Sequence, residues 1–130
     1  MDLLLHLSEM SPEPLHGQIT RQIRARVLAH DLGDDDPLPS IRMLARDQRV
    51  SVITVQRAYE DLEREGLIRS RPGKGFFVVA IPEERKQTMA EQRLENALER
   101  LIAESVAEGL DKSQIREVFE RALREKGSKR

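Results

Sequence analysis

The chain has 130 residues, a net charge of -1, about a third of its residues charged, few aromatics and no cysteine. That length holds one modest core plus an appendage and excludes a full-sized ligand or enzyme domain beside it. Without cysteine there is no disulfide framework, thiolate metal site or cysteine nucleophile; no segment is apolar for long enough to span a bilayer, and the near-neutral charge excludes a wholly basic nucleic-acid coat but not a localised basic face.

Residues 1–13 read as a short arm. Leu3, Leu5 and Leu7 alternate with Leu4 and His6, a pattern open to a short strand, and Pro12 and Pro14 end it. The Leu run lacks the basic start, long apolar stretch and small-residue cleavage site of a signal peptide, so a cytoplasmic location is expected. In LHGQITRQIRARVLAH, residues Leu15, Ile19, Ile23 and Val27 recur every four positions, which predicts an amphipathic helix. Gly33 and the DDDP run then predict an exposed turn, with Asp34, Asp35 and Asp36 solvated and not gathered around a cation.

The segment Pro37 to Ala80 carries most of the chemistry. Ser40 caps a short helix, SIRMLARDQ, whose apolar side is Ile41, Leu44 and Ala45, and Arg49-Val50 makes a turn. Ser51 caps a second helix, VITVQRAYEDLEREG, closed by Gly66. Two short helices joined by a tight turn are a helix-turn-helix. LIRS and FFVVA follow as strand-like runs around RPGKG, where Gly73 and Gly75 give a hairpin tip the backbone freedom it needs. This is a wing appended to a helix-turn-helix.

Pro82 breaks the chain again. Residues 83–109 predict a long charged helix with Met89, Leu94, Leu98, Leu101, Ile102 and Val106 as its apolar positions and Gly109 as its stop. Asp111 and Gln114 have the spacing of a capping box for a last helix that buries Ile115, Val118, Phe119, Ala122 and Leu123. The GSKR tail is expected to fray.

In the helix from Ser51 to Glu65, Val55, Ala58, Tyr59 and Leu62 fall on one inward side. Ile53 and Arg57 point the opposite way, with Thr54 and Gln56 on the flanks. The N-terminal residues of such a helix meet base edges in the major groove. Glutamine suits adenine, arginine suits guanine, and an apolar or threonine methyl suits the thymine methyl. The competing reading packs Val52 and Ile53 against a neighbouring element. Arg42, off the apolar face of the preceding helix, is placed for a phosphate or is a solvated surface charge. Arg69, Arg71 and Lys74 surround a glycine-containing tip able to approach the minor groove or the phosphates. The candidate DNA-binding set is therefore Ser40, Arg42, Ser51, Val52, Ile53, Thr54, Gln56, Arg57, Arg71, Gly73, Lys74 and Gly75. His6, His16 and His30 show no metal spacing, and there is no phosphate loop, catalytic pair or nucleophile elbow. No catalytic residue, metal or cofactor is expected. A winged helix also serves as a protein-docking module, and an outward Ile53 suits that use; the basic wing and Arg57 favour DNA.

The two tail helices offer Leu94, Leu98, Leu101, Ile102, Val106 and Phe119, and a lone helical hairpin has no second side on which to bury them. A homodimer through these helices closes a four-helix arrangement, spaces two recognition helices for a palindromic operator, and leaves no deep apolar pocket in residues 83–130.

Three adjoining stretches, PLHGQITRQIRARVL, LPSIRMLARDQRVSVITVQRAYEDLEREGLI and RSRPGKGFFV, closely resemble the DNA-binding domain of the GntR family of bacterial regulators over residues 14–79. The LPS-R-LA, VS-TV-RAY-LE-EGLI and R-GKG-F-V blocks stand in order with the family's spacing. The short tail is similar to that of the YtrA subfamily, whose small dimerisation domain replaces larger effector-binding domains. The resemblance implies a mainly α fold with a small β-hairpin wing: a winged helix-turn-helix DNA-binding domain over residues 1–80 and a two-helix dimerisation domain over 81–130. It implies DNA contacts at Arg42, Val52, Ile53, Thr54, Gln56 and the Pro72-Gly73 tip. It also implies a dimeric transcription regulator, most simply a repressor of a nearby operon, acting at the bacterial nucleoid. The family commonly carries arginine where Val52 stands and a small polar residue where Ile53 stands, and arginine is frequent at the position of Gln56. Those departures imply a more A·T-rich or thymine-bearing half-site.

Overall fold

Two serines set where the central helices begin. The backbone N–H of Met43 donates to Ser40 Oγ at 3.1 Å, and that of Thr54 to Ser51 Oγ at 3.0 Å. Each bond satisfies a donor that a helix start leaves unpaired. In the computed structural model, which describes residues 3–127, the order is α1 Leu15–Leu28, α2 Ile41–Gln48, α3 Val52–Arg64, β1 Ile68–Arg71, β2 Gly75–Val78, α4 Glu83–Ala107 and α5 Lys112–Gly127. The fold is mainly helical, with β1 and β2 as an antiparallel pair. Arg49, at φ 57°, makes the left-handed turn between α2 and α3. Gly66 closes α3 at φ 81°: its N–H reaches Glu63 O at 3.0 Å, and the N–H of Leu67 reaches Leu62 O at 3.0 Å. This pair of bonds needs a left-handed residue, which glycine supplies at least cost.

The expected apolar faces meet in one core. Ile19, Ile23 and Val27 of α1, Leu44 of α2, and Val55, Tyr59 and Leu62 of α3 lie fully buried with Leu67, Ile68 and Val78. Tyr59 ties three elements together. Its hydroxyl donates to the Pro39 carbonyl at 2.7 Å, and its ring meets Phe76 of β2 edge-on at 4.9 Å between centroids. Burial pushes the pKa of its phenol upward.

Among the described residues the arm forms no strand, yet it is anchored. Leu3 and Leu5 are buried, and the backbone between them and Ser8 is matched by side chains of α1. Gln18 accepts from Ser8 N–H at 2.9 Å and donates to Ser8 O at 2.8 Å; Gln22 does the same with His6 at 2.9 and 2.8 Å. Arg26 donates to the Leu4 carbonyl. Alternate residues of an extended chain advance about 6.7 Å, and positions four apart on a helix advance about 6 Å. Residues 18, 22 and 26 therefore keep step with residues 8, 6 and 4.

The acidic segment also differs from a free turn. The N–H of Asp35 donates to Val78 O, that of Val78 to Asp36 O and that of Leu38 to Phe76 O, each at 2.9 Å. Pro37 bridges to Phe77, so residues 35–38 run beside β2 as a third, irregular edge. Proline, with no N–H to offer the ladder, suits that edge.

The residues gather into two compact units, Met1–Gln87 and Thr88–Arg130. The division falls inside α4, beyond the expected residue 80, because Ile81 and Lys86 are buried in the first unit. Lys86 Nζ lies 3.3 Å from His30 Nδ1, and His30 Nε2 lies 3.3 Å from Glu83. In the second unit the capping box is present: the N–H of Gln114 donates to Asp111 Oδ1 at 2.8 Å and that of Asp111 to Gln114 Oε1 at 2.9 Å. The expected burial along α5 is not found within one chain. Val118, Phe119, Ala122 and Leu123 are exposed and Ile115 is half-buried, because α4 covers this face of α5 only in part. Between the two helices lies an open apolar groove of about 220 Å³, lined by Leu98, Ile102, Leu110 and Phe119 among others. Residues 128–130 of the GSKR tail lie outside the described residues. Among the described residues no helix is long and apolar enough to cross a membrane.

Candidate nucleic-acid interface

Burial of Val55, Ala58, Tyr59 and Leu62 fixes the roll of α3 about its axis. The opposite side then faces outward. Ile53 is 68% exposed and stands clear of the core of the first unit, while Val52, 42% exposed, is only partly covered. Gln56 and Arg57 are exposed as well. Gln56 Nε2 lies 3.4 Å from Glu60, a loose contact that leaves the amide available, and Arg57 has no hydrogen bond or ion pair among the described residues. Thr54 is half-buried, with its hydroxyl 2.8 Å from Ser51 Oγ. Ser40 and Ser51 thus act first as helix caps. Arg42 stands exposed in the first turn of α2, with no ion pair or side-chain hydrogen bond among the described residues.

The wing tip is set by its glycines. Arg71 pairs with Gly75 across the hairpin, and the N–H of Lys74 donates to Arg71 O at 2.9 Å around Pro72-Gly73. Proline followed by a residue at positive φ, here 74° at Gly73, is the sequence of a type II turn. Gly75 follows at φ 101°, so a side chain at either glycine is strained although nothing lies within 4 Å of it. The side chains of Arg69 and Lys74 are exposed and have no partner among the described residues.

Arg71 does not share that freedom. Its Nη2 lies 2.7 Å from Asp35 Oδ1, and its guanidinium sits 4.3 Å from the centroid of Phe77. The cross-strand register puts Arg69 and Arg71 on the Phe77 face, while Ser70 and Phe76 face Glu63 and Tyr59 of α3. The interface therefore presents Arg42, Arg57, Arg69 and Lys74 as cations without a partner among the described residues, with Arg71 held by Asp35. Asp35 was not legible as a partner of the wing, since it stands 36 positions from Arg71.

The proposed dimer residues sit together on the second unit. Leu94, Leu101, Ile102, Val106 and Phe119 are exposed by 41–57%, and Leu98 is half-buried in the groove.

The sequence matches the family model described as bacterial regulatory proteins, gntR family, over residues 15–78. Two relatives from Bacillus subtilis are similar over most of both chains. One is an uncharacterized HTH-type transcriptional regulator, YhcF, 32% identical over 77% of this chain and 89% of its own. The other is the HTH-type transcriptional repressor YtrA, 30% identical over 88% of each. Among solved structures, YtrA from Sulfolobus acidocaldarius, a GntR-family transcription factor, aligns with a TM-score of 0.56 at 27% identity over 93% of this chain and 97% of that one. The DNA-binding domain of AraR in complex with operator ORX1 aligns with a TM-score of 0.53 at 25% identity, over 60% of this chain and all of that one.

Proposed function

The chain belongs to the GntR family of bacterial regulatory proteins and is a DNA-binding transcription regulator, and from that premise we propose that it works as a homodimeric repressor on a palindromic operator. The observation that carries the DNA-facing assignment is the outward strip of α3, with Ile53, Gln56 and Arg57 exposed, together with the exposed cations Arg42 and Lys74. Gln56 and Arg57 are the candidates for base edges, where a good bidentate pair discriminates by about 1–3 kcal/mol. Arg42, Arg69 and Lys74 are the candidates for phosphates, which set register and salt dependence.

Pairing through the second unit is supported by its exposed apolar positions, a surface larger than an isolated helical hairpin keeps in water. A two-fold axis there makes the operator two-fold as well. Repression is supported by the name of the similar YtrA of Bacillus subtilis, and a regulatory role in bacteria by the family's description. Regulation needs no reaction from this chain. A footprint on the DNA flanking its gene, with sedimentation of protein and complex, tests the reading. Two protected half-sites related by symmetry and a dimer at micromolar concentration are expected. A monomer that binds its site one to one overturns it.

A further inference from the structure

We propose that Ile53 reads the 5-methyl group of a thymine in the major groove, an assignment that rests on the DNA-binding reading above. The first turn of α3 has turned its polar atoms on itself. Ser51 Oγ accepts the N–H of Thr54 at 3.0 Å and lies 2.8 Å from the Thr54 hydroxyl. What this turn offers outward is hydrocarbon: Ile53, 68% exposed, flanked by Val52 at 42%. One turn further along the same side, Arg57 is exposed and has no partner among the described residues, so the strip runs from an apolar end to a cationic end.

Of the four bases seen from the major groove, only thymine presents an apolar group; the others present acceptors or an amino donor. An isoleucine held against an adenine or cytosine amino group leaves that donor without water and without a partner, which is unfavourable. Against a thymine methyl it buries hydrocarbon on both sides, so removing that one methyl should weaken binding by about three- to tenfold. Ile53 contributes nothing to the core, so its replacement isolates this contact from folding.

The test starts with the full-length chain selecting duplexes from a random-sequence library. Each thymine of the selected duplex is then replaced singly by deoxyuracil, which removes only the methyl. One thymine per half-site is expected at which uracil costs the wild-type chain about three- to tenfold in affinity. Ile53→Ala is expected to bind the thymine and uracil duplexes equally at that position, and Ile53→Val to recover part of the difference. If no thymine is methyl-sensitive, or if Ile53→Ala still feels the loss, the assignment is overturned while the selected duplex upholds DNA binding. If no preferred duplex emerges, the DNA reading fails and this assignment fails with it.

Discussion

Arg71 of β1 is held by Asp35 at 2.7 Å while its guanidinium stacks on Phe77, so a basic residue at the tip of the wing is neutralised before DNA arrives. Asp35 is itself fixed, because its N–H donates to Val78 O and the neighbouring Asp36 carbonyl accepts from Val78. The wing's free charge is then carried by Arg69 and Lys74.

This arrangement has a measurable consequence in the salt dependence of binding. Each phosphate neutralised steepens the fall of log affinity with log salt by roughly 0.9 on duplex DNA. Lys74→Gln should therefore flatten the slope by about one unit, Arg71→Gln should leave it unchanged, and Asp35→Asn should steepen it by about one as the guanidinium is released. Gel shifts between 50 and 200 mM salt, roughly the range over which such slopes are read, decide among these outcomes. An Arg71→Gln slope as flat as that of Lys74→Gln would show that this arginine leaves Asp35 for a phosphate.

The anchoring of the arm makes a second prediction. Gln18 is buried and makes three hydrogen bonds to the backbone of Ser8 and Glu13. Gln18→Ala should cost about 2–3 kcal/mol, because the arm's groups lose their partners under partial burial. Gln22→Ala, in an exposed setting, should cost roughly 1 kcal/mol or less. Urea denaturation measures both, and equal small effects would mean that the arm adds little to the fold.

These two contacts mark the limit of what the sequence discloses. The helices were legible because Leu15, Ile19, Ile23 and Val27, or Val55, Ala58, Tyr59 and Leu62, repeat at helical spacing, and because Ser40, Ser51 and Gly66 are local signals read within a few residues. The outward strip of α3 was legible for the same reason, since burial of one side dictates the other. Gln18 and Gln22 look like any polar residues of an amphipathic helix, and only the folded arm gives their amides a backbone to meet. Asp35 and Arg71 have no local pattern connecting them. The burial expected along α5 was misplaced because a periodic apolar face states that a partner surface is needed, not which one supplies it.

Tyr59 supplies a pH prediction. Its folded pKa is raised by burial, so the folded state resists ionisation that the unfolded chain undergoes near pH 10. The contribution is fully present below about pH 10 and is lost as the pH rises above it, because only the unfolded state releases the proton. Tyr59→Phe should cost about 1–2 kcal/mol at neutral pH by stranding the Pro39 carbonyl, and should lose stability less steeply than the wild type above about pH 10. Parallel denaturation curves at neutral and alkaline pH make the comparison; identical alkaline slopes would refute the role given to Tyr59.

The second unit provides the sharpest test of assembly. Leu101 is 52% exposed in the single chain, so an aspartate there meets water and should change monomer stability little. In a dimer that closes over Leu101, Ile102 and Phe119, the same carboxylate is buried without a counter-charge, and the pairing is lost. Leu101→Asp should therefore sediment as a folded monomer with an unchanged first-unit melting transition. Each half-site contact is weak alone, and joining two raises the effective concentration of the second, so operator affinity should fall by about 10²- to 10⁴-fold. Half-site affinity should not change, because α3 and the wing are untouched. A Leu101→Asp chain that remains dimeric would place the interface elsewhere. A chain that becomes monomeric yet keeps full operator affinity would separate dimerisation from DNA recognition, the coupling on which the palindromic operator depends.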